Sequence, residues 1–195
     1  MNKKIVNYFK GLTNTKKYED QFATLEKQSA VQNGIKQIDL IEAKEQALQQ
    51  KYVQKLSTES IAWWKAEVGR LNNSMATTKD EAEKHLMKRV MEYLSLALYS
   101  NCSSLIGQSN FTEAEHFIEL YALIDNDNPE PEFMWAQIFA RKKDIDNSIL
   151  HLKKSADLGF KEKSRIDNDS VFFKLNNDKR FTEIIDLISK NQNKP

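Results

Sequence analysis

The residues best equipped to do chemistry are few: three histidines, His85, His116 and His151, and one cysteine, Cys102. Two imidazoles one helical turn apart can share a metal, but these three have no i, i+4 pair and no cysteine partner, so a zinc site would need three helices to converge. His116 and His151 are expected on the outer faces of two helices, facing solvent. A single cysteine leaves no intramolecular disulfide. Cys102 falls in the middle of a helical pattern at a tight packing position, where a thiol is inert rather than nucleophilic.

Two stretches rich in Asp and Asn, "DNDNPEPE" from Asp125 and "DNDSVFFKLNND" from Asp167, have the outline of calcium loops. In the first, Pro129 stands at the fifth ligand position and Glu130 where the turn glycine is needed; in the second, Val171 and Phe172 fill those places. Helix capping accounts for these residues better, because their short side chains satisfy free backbone N–H groups. The chain has no glycine-rich phosphate loop and no nucleophile elbow, and its many carboxylates form no acid/base couple. The expectation is a chain without catalytic residues, metal or cofactor.

The elements that carry these residues are helices. Glu, Lys, Gln, Leu and Ala dominate the first half, and five Gly and three Pro in 195 residues are too few for a sandwich or barrel of many tight turns. Lys and Arg total 29 against 28 Asp and Glu, so the overall basic excess of a strong nucleic-acid binder is missing. Arg141, Lys142 and Lys143 in "ARKKD" sit where cations complement a helix C-terminus. No apolar run approaches the ~18 residues that span a bilayer, and Ile5 and Val6 are too little for a signal-peptide core. The sequence as given reads as cytoplasmic, with a cell-envelope location as the alternative where a leader precedes it.

Residues 5–12 form a short basic amphipathic segment, expected to pack as a surface helix. Residues 17–56 are expected to form two helices or one bent at Asn33–Gly34, with Ile35, Ile38, Ile41, Leu48 and Tyr52 along one face. Ser57 and Thr58 are expected to cap a helix carrying the stripe Ile61, Trp64, Val68 and Leu71. Trp63 and Trp64 point ~100° apart, so one should anchor the core and the other its margin. A capping box of Thr78 and Glu81 is expected to open a helix of about 28 residues, carrying Leu86, Val90, Tyr93, Ala97 and Leu98 at helical spacing into Leu105.

Beyond residue 95 a rhythm repeats with an offset of 34. Ala114 aligns with Ser148, Phe111 with Ile145, Ile118 with Leu152, Ala122 with Ala156, Ile124 with Leu158, Cys102 with Ala136 and Leu105 with Phe139. Small residues fall where two helices must approach and large apolar ones beside them, the pattern of a repeated antiparallel helix pair. Asn128–Pro129 then reads as the N-cap and first position of the next helix.

The stretches "LYSNCSSLIGQSNFTEAEHFIELYALIDNDNPE" and "FMWAQIFARKKDIDNSILHLKKSADLGF" resemble the tetratricopeptide (TPR) family. "SRIDNDSVFFKLNNDKRF" is similar to the ending found on many bacterial members, which covers the last apolar face. The resemblance implies an all-α fold: antiparallel hairpins stacked as a short TPR-like solenoid, with additional N-terminal helices. It implies an N-terminal extension over 1–56 and a repeat domain over 57–195, with repeats near 95–128 and 129–162 and a cap over 163–190.

The implied function is a non-catalytic scaffold that binds a protein or peptide on its concave side, with no nucleic acid and no membrane span. In this family the first helix of each pair lines that side. The resemblance therefore nominates Tyr99, Ser103 and Ile106 in the first unit and Phe133, Gln137 and Arg141 in the second. For Tyr99, Ile106 and Phe133, packing between helices is the competing reading. Ser103 replaces the Asn of the carboxylate clamp in chaperone-binding relatives, which disfavours a chaperone tail. The alternative function is a self-associating structural or envelope protein, a homo-oligomer formed through the helices of 17–56.

Overall fold

The computed structural model describes residues 15–193, and every regular element among them is helical, with no strand. No helix of the described residues is long and apolar enough to cross a membrane. The expected segment over 5–12 lies outside the described residues.

Helix α1 runs unbroken over Thr15–Lys55, so Asn33–Gly34 neither ends nor divides it. Gly and Asn each cost a helix less than about 1 kcal/mol, and the Gln, Lys, Glu and Ala around them sustain the ladder. The chain divides into two units between Ala47 and Leu48, earlier than the expected boundary at 56/57. In the first unit, Val31, Ile35, Ile38 and Leu40 are 52–71 % exposed.

The second unit starts with the last turns of α1 because Tyr52 and Leu56 are buried in its core. Helix α2 spans Ile61–Thr77, α3 Glu81–Gly107, α4 Phe111–Ile124, α5 Glu130–Arg141 and α6 Ile145–Asp157; the short α7, Lys163–Asn168, leads into a 3-10 turn, Ser170–Leu175, and α8, Lys179–Gln192, closes the chain. Trp64 is fully buried, while Trp63 stays half-exposed beneath the Lys55 ammonium, 4.4 Å from its ring.

The starts of α2 and α3 differ from expectation. Ser60, not Ser57 or Thr58, accepts from the Trp63 N–H at 3.2 Å. Asp80, not Thr78, caps α3, accepting from the Ala82 N–H at 2.9 Å and the Glu83 N–H at 3.3 Å. The Thr78 hydroxyl instead accepts from the Asp80 N–H and donates to Glu83 at 3.1 Å. A carboxylate immediately before the first helical residue outcompetes a hydroxyl two residues earlier. Pro129, one residue later than expected, holds the N-cap position of α5, and the Asn128 side-chain oxygen accepts from the Glu130 N–H at 2.9 Å.

Helices α3 and α4 pack as one pair and α5 and α6 as another. The second pair is antiparallel: Ser148 Oγ donates to the Ala136 carbonyl, His151 meets Glu132, and Ser155 Oγ donates to the Pro129 carbonyl, one chain rising as the other descends. Ala114 and Ser148 are both fully buried, the small residues that let paired helices approach. Helix α5 is buried on two sides. Met134 and Ile138 join a core with α1–α4, while Phe133, Ala136 and Ala140 join a second core with α6, the terminal turn and α8.

The turns inside the two pairs match bond for bond. The N–H groups of Gln108, Ser109 and Asn110 donate to the carbonyls of Ser104, Ile106 and Leu105; those of Lys142, Lys143 and Asp144 donate to Ile138, Ala140 and Phe139. The bond reaching back five residues closes a Schellman-type cap, which places a left-handed residue after the helix. The same cap recurs after α6 around Gly159.

Candidate partner-binding surface

The nominated residues lie on the exposed sides of α3 and α5 or directly beneath them. Helical spacing brings Phe133, Gln137 and Arg141 along one side of α5. Phe133 and Ile106 are buried, 0 % and 4 % exposed, and their side chains serve the core. The Phe133 ring stacks on Phe160 with centroids 4.5 Å apart and planes 11° from parallel, and Phe172 closes on it at 5.9 Å. That core is built from the chain's own terminal segment, laid over the N-terminal half of α5.

Arg165 seals this contact. Its guanidinium lies 4.6 Å above the Phe133 ring, donates to Glu130 through both terminal nitrogens, one at 2.9 Å, and reaches Glu162 at 3.0 Å. Burial is the largest single influence and works against its charge, but the hydrogen bonds to Glu130 and Glu162 and the Glu130 charge together exceed it, so its pKa is raised. Tyr99, half-buried on α3, adds a smaller electrostatic contribution to the same guanidinium. A planar cation between an aromatic ring and a carboxylate is a rigid fixture.

Gln137 and Arg141 converge one step further along. Gln137 donates to Asp169 Oδ2 at 2.8 Å, and an Arg141 terminal nitrogen lies 3.9 Å from that oxygen. Asp169 also caps the 3-10 turn through the Val171 N–H at 3.2 Å. One carboxylate therefore fixes the terminal segment and orients two nominated side chains. A shallow depression of about 360 Å³ lies here, lined by Gln137, Ser164, Arg165, Asn168 and Asp169. Ser103 is exposed on α3.

Sequence reasoning placed His151 on a solvent-facing surface, and the structure corrects this. His151 is half-buried, its ring stacked on Phe139 at 5.2 Å and tilted against Trp135 at 5.9 Å, and its Nδ1 lies 2.6 Å from Glu132. The cause is the antiparallel pairing, which turns that side of α6 toward α5 instead of outward. Arg165 and Asp169 were missed as parts of the surface. Asp169 carried a signal, the three-residue rhythm with Phe172 and Leu175; Arg165 carried none, since its ring partner stands 32 positions upstream.

Among the described residues no group of three His, Cys, Asp or Glu side chains could hold a metal ion. Asp125 accepts from the Ser95 hydroxyl at 2.7 Å and from Asn128 at 2.9 Å, as an interhelical tie. Compared with protein-family models, curated proteins and solved structures, the chain matches none of them.

Proposed function

We propose that the chain is a non-catalytic, TPR-like scaffold that binds a protein or peptide partner on the surface carrying Tyr99, Ser103, Gln137 and Arg141. Ile106 and Phe133 support that surface from beneath. The observation that carries the reading is the equivalence of the α3–α4 and α5–α6 turns, each closed by the same backbone bonds 34 residues apart. Helix pairs repeated in this way form a continuous core and leave an extended face for partners. The terminal segment fits the role of a cap, since Phe160, Phe172 and Leu175 cover apolar surface of α5.

The test is affinity capture from a lysate of the native source with the wild-type chain and a Ser103→Arg, Gln137→Ala variant. Ser103 is exposed and Gln137 half-exposed, its one bond to Asp169 being replaceable by water, so the fold should survive, as circular dichroism would verify. Specific loss of a captured protein supports the reading; identical capture by both chains removes this surface from it.

A second reading, self-association, is favoured by one observation: Val31, Ile35 and Ile38 stand exposed at helical spacing on α1. Light scattering on a Val31→Glu, Ile38→Glu variant tests it in the full chain. A drop in mass relative to wild type supports a dimer through α1; equal masses reject it.

A further inference from the structure

The exposed apolar face of α1 carries a pattern that complements itself when reversed. Written as heptads, Val31, Ile38 and Glu45 stand at a positions and Gly34, Ile41 and Leu48 at d positions, with Ile35 beside them at e. Val31, Ile35 and Ile38 are 63 %, 52 % and 57 % exposed, and Ile41 is half-buried. Lys27, the next d position toward the N-terminus, ends the apolar run. At the other end the same register sets Leu48 against the second unit's core and Tyr52 inside it. Among the described residues the first unit is a single helix, and a helix draws most of its stability from burying its apolar face.

Two irregular positions decide what can cover this face. Gly34 leaves a gap in the seam, and a Cβ built there meets nothing within 4 Å. Glu45 puts a long charged side chain in line with the isoleucines. Turned end for end about a point between Ile38 and Ile41, the run pairs Ile38 with Ile41, Gly34 with Glu45 and Val31 with Leu48. The long acidic side chain then crosses the place where the opposite helix has no side chain, and its carboxylate reaches water at the rim. A parallel pair would instead set Glu45 against Glu45, a repulsion of like charges, and Gly34 against Gly34, a void.

We infer that the occupant of this face is a second copy of the chain with its α1 running antiparallel, Glu45 of each copy lying over Gly34 of the other. The inference rests on the self-association reading and adds the orientation and register of the two helices. The complement of each position is present in the same sequence, so a second copy fills the face without a foreign chain. The seam from Val31 to Leu48 spans fewer than three heptads, so the dimer is weak and forms as concentration rises.

The experiment is disulfide cross-linking of the full-chain variants Gly34→Cys and Glu45→Cys, each alone and the two mixed, in a glutathione redox buffer. Covalent dimer is read on a non-reducing gel, beside light scattering of the wild type across a concentration series. Cys102 is 0 % exposed and stays out of the reaction. In the antiparallel register the two introduced thiols face each other, whereas identical positions lie about 16 Å apart along the axis, beyond the reach of a disulfide. The expected result is covalent dimer in the mixture at least ten-fold faster than in either variant alone. Cross-linking of Glu45→Cys alone as fast as the mixture overturns the inference in favour of a parallel pair and leaves self-association standing. No cross-link in any sample, with the wild type dimeric by mass, also overturns it and moves the dimer to another register or surface. A wild-type mass that stays monomeric throughout the series removes both readings and gives this face to a different occupant.

Discussion

Ser109 and Lys143 hold the same left-handed backbone, φ 60° and φ 64°, at positions 34 residues apart. Neither is glycine, although the conformation costs a side-chain-bearing residue roughly 1 kcal/mol. The Schellman bonds of each turn hold it there.

Replacing either by glycine should therefore stabilise the fold, by about 0.5–1 kcal/mol each. The two residues share no hydrogen-bond or ion-pair partner, so Ser109→Gly with Lys143→Gly should be close to additive. The opposite change at the third turn, Gly159→Ala at φ 99°, should cost about 1 kcal/mol; an added Cβ there meets nothing within 4 Å, so the backbone alone sets the penalty. Urea unfolding midpoints for the four variants check all of this.

Phe133→Ala should be among the most damaging single substitutions. The ring is fully buried between Phe160 and Phe172, and Arg165 lies over it. Truncating a buried aromatic of this kind costs about 3–5 kcal/mol, and Arg165 would lose its ring contact as well. Thermal melting should show a large fall in Tm. Tyr99→Phe, which keeps the ring, should shift it far less.

Helix content, the 34-residue offset, the division of labour between Trp63 and Trp64, and the burial of Cys102 were all legible in the sequence, because each follows from local periodicity. The caps of α2 and α3 were missed because several hydroxyls and carboxylates compete within four residues, and only backbone geometry decides among them. At Asn33–Gly34 the open readings were two helices or one bent helix; α1 runs on as one helix, a choice that propensity alone is too weak to make. At the surface, Ser103, Gln137 and Arg141 were nominated only through the family resemblance, and they stand exposed or half-exposed on α3 and α5. What was not legible was the cover over Phe133: the approach of Phe160, Arg165 and Phe172 depends on how the terminal segment folds back, a long-range contact without a local signature.

Acid should loosen the junction between the end of α1 and α2. Tyr52 Oη donates to Glu67 at 2.6 Å, and Arg70 donates to the same carboxylate at 2.7 and 2.8 Å and to Tyr52 Oη at 3.2 Å. The Arg70 hydrogen bonds, with that of Tyr52, hold the Glu67 carboxyl down at about 2, against an ordinary 4.5. A depressed carboxyl contributes its stability fully above 4.5 and loses it as pH falls from there toward 2. Arg70 is 58 % exposed, so screening limits the contribution to about 1 kcal/mol. Unfolding free energies measured from pH 6 to pH 2 should fall less steeply for Glu67→Gln than for wild type; parallel curves would show that the group contributes nothing.

Cys102 should report global unfolding. Burial pushes its thiol up to about 12, and the side chain is 0 % exposed on α3, where the first core surrounds it. The thiolate is the reactive form, so at pH 8 a native molecule offers neither the anion nor access to it. A thiol-specific disulfide reagent should label the native protein only at the rate at which α3 opens, and at once in denaturant. Labelling should then accelerate in Phe133→Ala only if the two cores unfold together through α5, which donates Met134 and Ile138 to one and Phe133 to the other. Unchanged labelling in that variant, with its melting transition lowered, would show that the α3–α4 pair holds its core when the terminal one is lost.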